Sequence, residues 1–167
     1  FSARLFEEGF LYDSSGLAYF ADQDKNSLSI LAYLNSNIFK KLMEIVMPGL
    51  HYSAGVVGSM PVNLNVDDRI QKQCLEAVEI SKSDWNYSEN SWTYSKSGLI
   101  RFSSDDGLIA SAYSKWSISC VEGHQKLKAL EEEINSIFID SLELFDEVSH
   151  EVSDNEIKLS IADRSSD

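Results

Sequence analysis

Hydrophobic positions change their spacing along this chain, and the changes divide it into elements. Gly9-Phe10-Leu11-Tyr12-Asp13 and Leu17-Ala18-Tyr19-Phe20-Ala21 are short, β-prone runs separated by Ser14-Ser15-Gly16. That arrangement predicts a β-hairpin. From Leu28 the period becomes helical: Leu28, Leu31, Leu34, Ile38, Leu42 and Ile45 recur every three or four residues, widened by Ile30, Phe39 and Val46. The pattern predicts one helix, stopped by Pro48-Gly49. Residues 51–62 are Gly-interrupted and β-prone, ending at Pro61-Val62.

Asn65 then offers an N-cap, with Asp67 and Asp68 at the positive end of the helix dipole. The second helix carries Ile70, Cys74, Ala77 and Val78 on one face and Trp85 at its end. A polar loop from Ser88 to Asp106 follows, with little regular structure expected beyond Leu99-Ile100. A third helix starts near Asp105 or Asp106. Its seam of Ile109, Tyr113, Trp116, Cys120, Leu127, Leu130, Ile134, Ile137 and Phe138 has one gap, near Gly123-His124. A stripe that long needs a partner, and the second helix, running antiparallel, is the natural one. After Phe145 the sequence turns acidic and Ser-rich, with a short strand possible at 155–160. The expected fold class is thus α+β and predominantly helical. A small β-hairpin or β segment with one helix precedes an antiparallel pair of long helices.

Composition narrows the function classes. No apolar run approaches a membrane span, so no membrane partner is expected, and the two cysteines read as core thiols of a cytoplasmic protein. Two thiols and three histidines show no metal-ligand spacing. The opening Phe1-Ser2-Ala3-Arg4 lacks both an initiator Met and the build of a signal peptide, and is read as internal to a longer chain. The net charge of −13 is uneven. Residues 131–167 hold twelve Asp/Glu against Lys158 and Arg164, whereas the first 130 hold fifteen acids against twelve bases. Nucleic-acid contact, which rests on Lys and Arg, is therefore confined to the front.

Chemistry-bearing motifs are sparse. Pro48 and Pro61 are isolated, so no N-P-P-Y motif exists, and neither G-x-G-x-x-G nor G-x-S-x-G occurs. Gly55 and Gly58 form a G-x-x-G, but without the basic residues of a backbone clamp. Trp85, Tyr87, Trp92 and Tyr94 suggest either a base-stacking platform or packing at a helix end. With only Lys82 and Lys96 beside them, packing is the favoured reading. The best candidate for a DNA contact is Lys40-Lys41 with His51-Tyr52-Ser53, a basic pair followed by a polar, Gly-flanked turn. A merely solvated surface is its close competitor.

Three segments resemble, in order, the C-terminal half of BREX-type (PglX-like) adenine-specific DNA methyltransferases. The first runs from GFLYDSSGLAYF through SILAYLNSNIFKK to MPGLHYSAGVVGSMPV, with an L-N-S signature at Leu34-Asn35-Ser36. The second is AVEISKSDWNYSENSWTY. The third is LKALEEEINSIFIDSLELFDEVSHEVSDNEIKLSIADRSSD, with its E-E-x-N-x-I-F-I-D stretch. It departs from the family at Ser141-Leu142, where an aromatic is often found. Type IIG restriction enzymes and Type I specificity subunits are more distantly similar.

The resemblance implies a non-catalytic fragment: residues 1–65 as the end of a target-recognition domain, and 66–167 as a helical spacer with an acidic C-terminal tail. It implies no cofactor in the fragment itself and S-adenosylmethionine in the full-length enzyme. The implied partners are double-stranded DNA through that enzyme, its own catalytic domain, and other defence-system subunits. A protein-interaction module without DNA contact is the alternative, and a free-standing, DNA-mimicking acidic protein is a third reading.

Overall fold

A computed structural model describes residues 2–6, 8–13, 16–20, 24–49, 52–62 and 68–160. Among these, every regular element is helical: α1 (Asp24–Asn35), α2 (Asn37–Val46), α3 (Ala54–Gly58), α4 (Arg69–Trp85), α5 (Gly98–Arg101) and α6 (Ile109–Leu142). The α+β expectation is therefore corrected, since no strand occurs among the described residues.

The hairpin runs fail to pair for a physical reason. Two isolated strands are marginal unless a face is covered, and here Leu11, Tyr12, Tyr19 and Phe20 all stay exposed. The Gly16 N–H donates to Asp13 Oδ1 at 3.1 Å. The Tyr12 and Phe20 rings lie 5.4 Å apart. The β segment expected over 51–62 is also helical in part. Ser53, in an extended conformation, precedes the five-residue α3. The strand expected at 155–160 is absent too, although Ile157 and Leu159 are buried. The Asn65 cap lies outside the described residues.

The first helical stripe holds a second correction. Instead of one helix over 28–47 there are two, broken at Ser36. Ser36 has φ −70° and ψ 155° and caps α2, its Oγ accepting from the Phe39 N–H at 3.2 Å. The same hydroxyl donates to the Tyr33 carbonyl at 2.7 Å. Ser and Asn compete in this way with the helical ladder. The break resets the phase of burial. Ile38, Phe39 and Met43 face inward in α2, while Ile45, in the stripe by periodicity, is 69% exposed.

The chain divides into two compact units. Unit 1 comprises residues 1–75 and 131–151. Its core gathers Ile30, Tyr33, Phe39, Ile70, Ile134 and Phe138. Tyr33 packs edge-on against both Phe39 and Phe138, at 5.4 and 5.6 Å between ring centres, and its hydroxyl donates to the Pro61 carbonyl. In this unit α6 ends with Glu143 in the left-handed region (φ 55°) and the Leu144 N–H bonded back to the Ile139 carbonyl at 3.1 Å. That is a Schellman-type stop without its usual glycine.

Unit 2 comprises residues 76–130 and 152–167. Here α4 and α6 run antiparallel: Glu76 pairs with Lys126, and Ile80 lies against Gly123, three residues back along α6. Residues 152–160 form a strap on this pair, burying Val152, Ile157 and Leu159 with Leu127 against Ala77 and Ile80. The strap is tied at one end by Lys128 Nζ donating to Asp154 Oδ1 at 2.6 Å. At the other, the Ser160 N–H donates to Asp84 Oδ2 at 3.0 Å. Gly98 opens α5 under the Trp116 indole, and a Cβ there would collide with that ring.

Candidate functional site

The residues singled out for nucleic acid lie in unit 1, on α2 and at the start of α3. Lys41 is 56% exposed on α2, with Glu44 one turn on at 3.7 Å. Lys40, its neighbour, is half-buried. Tyr52 is half-buried and Ser53 exposed; the Ser53 carbonyl accepts the first α3 bond from Val57 at 3.0 Å. His51 lies outside the described residues.

More specific than any of these is an amide junction that periodicity did not disclose. The Asn37 N–H, at the first turn of α2, donates to Asn135 Oδ1 of α6 at 2.9 Å. Asn135 Nδ2 donates in turn to the His150 carbonyl at 3.1 Å. The Asn37 side chain donates to the carbonyls of Ser149 and Glu151 on either side, at 2.9 and 3.0 Å. Asn135 is 3% exposed, so its own amide needs these partners. Next to it, Asn35 exchanges both amide bonds with the backbone of Ala3, at 3.0 and 3.1 Å. Three consecutive residues thus hold three different segments: Asn35 the N-terminal run at Ala3, Ser36 the α2 cap, Asn37 the end of α6 and the chain beyond. The available signal was an Asn at position 135 inside an apolar helical stripe, a costly placement unless it is fully hydrogen-bonded.

Other chemistry is thin. No group of three His, Cys, Asp or Glu side chains among the described residues is placed to hold a metal ion. Burial pushes the Cys74 thiol up to about 11 and raises that of Cys120, with Asp84 adding to the latter, so neither is an activated nucleophile. A shallow cleft in unit 2 is lined by Glu76, Glu79, Asp84 and Glu122, with Lys126 and Cys120. Its walls are mainly acidic and Lys126 is paired with Glu76, which disfavours a phosphate. No described helix is long and apolar enough to cross a membrane.

No family model matches the chain. The adenine-specific methyltransferase PglX of Lacticaseibacillus casei (strain Zhang) is 32% identical over 162 residues, covering 95% of this chain. The adenine-specific methyltransferase BrxX of Escherichia coli O9:H4 (strain HS) is 34% identical over 139 residues, covering 82% of it. The chain is a homologue of a region of the BREX-type adenine-specific methyltransferases. It spans only 14% and 11% of these relatives' lengths. The resemblance to these methyltransferases, read from sequence at the L-N-S and E-E-x-N signatures among others, is thereby shown for the chain as a whole. The junction gives those signatures a physical meaning, since Asn35, Ser36 and Asn135 bind protein segments to one another. The described residues do not fit S-adenosylmethionine: a glycine-rich turn after a strand is missing, and Gly55 and Gly58 sit in the short α3.

Proposed function

We propose that this chain is a non-catalytic recognition and spacer region of an adenine-specific DNA methyltransferase in a phage-defence system. Residues 1–65 present the α2 face to double-stranded DNA, and 66–167 act as the helical spacer. The observation that carries this reading is the anchoring of α2. Its N-terminus is held by Asn37 to Asn135, Ser149 and Glu151, while Lys41 one turn later remains 56% exposed. A rigidly placed cation suits a phosphate contact, which fixes register without reading sequence. The Lys41–Glu44 pair is solvent-exposed on both sides and worth little, so a phosphate displaces Glu44 readily. Lys40, His51, Tyr52 and Ser53 complete the proposed contact. The methyl donor, S-adenosylmethionine, belongs on this reading to the catalytic domain elsewhere in the enzyme.

The test is the double substitution Lys40→Glu and Lys41→Glu in the full-length protein. Lower DNA affinity is expected, with a salt dependence shallower by about one unit of slope per lysine that contacts phosphate. Unchanged affinity and unchanged methylation would remove this face from recognition. They would favour the second reading, a module that docks the enzyme's own catalytic domain or other defence subunits. The many exposed aromatic and aliphatic side chains, Phe6, Leu11, Phe20 and Trp92 among them, support that reading.

A further inference from the structure

Asn135 holds by hydrogen bonds what an apolar residue could have held by contact. It stands in the α6 stripe with buried Ile134 and Phe138 and is itself 3% exposed. A leucine at this position would continue the stripe and spare the desolvation of an amide. A polar residue in a helical seam lowers stability but specifies register. What it specifies here is α2. Asn135 Oδ1 accepts the N–H of Asn37, the first residue of that helix, at 2.9 Å, and its Nδ2 donates to the His150 carbonyl at 3.1 Å. The Asn37 side chain completes the tie by donating to the carbonyls of Ser149 and Glu151 at 2.9 and 3.0 Å. Lys41 lies on the same face of α2 as Asn37, one turn on, because residues four apart stack along a helix. Ile38, Phe39 and Met43 hold another side of the helix inward. Such apolar contacts choose the buried side with little demand on angle. The bonds at the buried amide fix the rotation and axial position of α2.

We infer that Asn135, acting through Asn37, is a positioning residue for DNA binding: it sets where α2 holds the Lys41 ammonium. The inference rests on the DNA contact proposed above and deepens it, since it brings a residue of α6, far outside residues 1–65, into recognition. Asn135 is too deeply buried to meet DNA itself. Lys41 is 56% exposed, and its partner Glu44, at 3.7 Å, belongs to the same helix. The charge therefore travels with α2, and a phosphate contact depends on that placement.

The salt dependence of duplex binding by the full-length protein separates this role from a merely structural one. A variant that is only less stable presents fewer competent molecules, yet each binds with the parent's slope. Loss of one phosphate contact makes log K against log salt shallower by about one unit. Lys41→Gln and Asn135→Ala are each expected to lose about one unit of slope, and the double variant no more than either alone. A parental slope in Asn135→Ala, with that of Lys41→Gln reduced, overturns the inference and leaves the DNA contact standing. Losses that add to about two units in the double variant also overturn it, since Asn135 would then act on a different contact. A parental slope in Lys41→Gln overturns the DNA contact and the inference together. Should Asn135→Ala fail to fold, Asn37→Ala takes its place, removing the ties to Ser149 and Glu151 while keeping the bond at its own N–H. A shallower slope is expected there too, and a parental one overturns the inference.

Discussion

The two units close themselves by different means. Unit 1 draws distant segments together with amide side chains, Asn35, Asn37 and Asn135, bonded to backbone groups. Unit 2 is closed by a strap whose apolar residues carry the contact and whose polar ties are exposed, as with Asp154 and Lys128. The difference is one of directionality. Hydrogen bonds at a buried amide specify a single geometry, whereas burial of Val152, Ile157 and Leu159 supplies energy with less demand on angle. Unit 1, which holds the candidate contact residues, is the more precisely specified of the two.

Breaking the strap should produce the largest effect. Ile157 is 1% exposed, and Ile157→Ala is expected to cost about 2–4 kcal/mol in urea unfolding, through lost burial and the cavity left behind. Hydrogen exchange should speed up across 152–160. A loss below about 0.5 kcal/mol, less than deleting a single buried methyl group costs, would mean that the strap is not what closes unit 2.

Asn135→Ala should cost about 1–3 kcal/mol, because it strands the Asn37 N–H and the His150 carbonyl without adding exposed surface. Asn135→Asp distinguishes geometry from mere polarity: it keeps an acceptor for Asn37 but loses the donor to His150, so it should recover only part of the stability. Full recovery would reduce the junction to the single Asn37 bond. Gly98→Ala tests packing in unit 2 that owes nothing to the strap. The new methyl meets the Trp116 indole, and about 1–3 kcal/mol of overpacking is expected in the same unfolding measurement.

The smallest effect belongs to the exposed tie. The Lys128 hydrogen bond, then its charge, hold the Asp154 carboxyl below its usual range. A depressed carboxylate pKa contributes stability above the unfolded value and loses it as pH falls through the folded one. Lys128→Met should therefore flatten the acid limb of the stability profile slightly, and 1 M salt should remove most of the difference between variant and parent. A difference that survives high salt would show the tie to be packing by the lysine stem rather than charge.

Helices with long apolar stripes were legible in the sequence, and the reason is periodic burial. The seam from Ile109 to Phe138 corresponds to α6, and Gly123, which interrupts it, lies where Ile80 and Leu159 approach. The strand expectations at 9–21, 51–62 and 155–160 fail because β-propensity describes a fit to a half-buried pleated surface, and no strand among the described residues supplies one. Residues 152–160 read as a dissolving acidic tail, since two of their three apolar anchors are separated by five positions and only the fold brings them together. The candidate lysines were visible as charges. The junction was not, because its members stand nearly a hundred residues apart; the family signatures contain Asn35, Ser36 and Asn135 but not Asn37.

One consequence follows from the break at Ser36. In an unbroken helix, inserting a single residue turns everything downstream by about 100°. Here α2 takes its orientation from its own cap and from the Asn37 anchor, not from the winding of α1. A residue added or lost in α1 ahead of Tyr33 would swing that helix's own inner face, yet leave Lys41 pointing where it did. The Asn35-Ser36-Asn37 tripeptide is in that sense a clutch between two helices: it lets the length of one drift while the other keeps its aim.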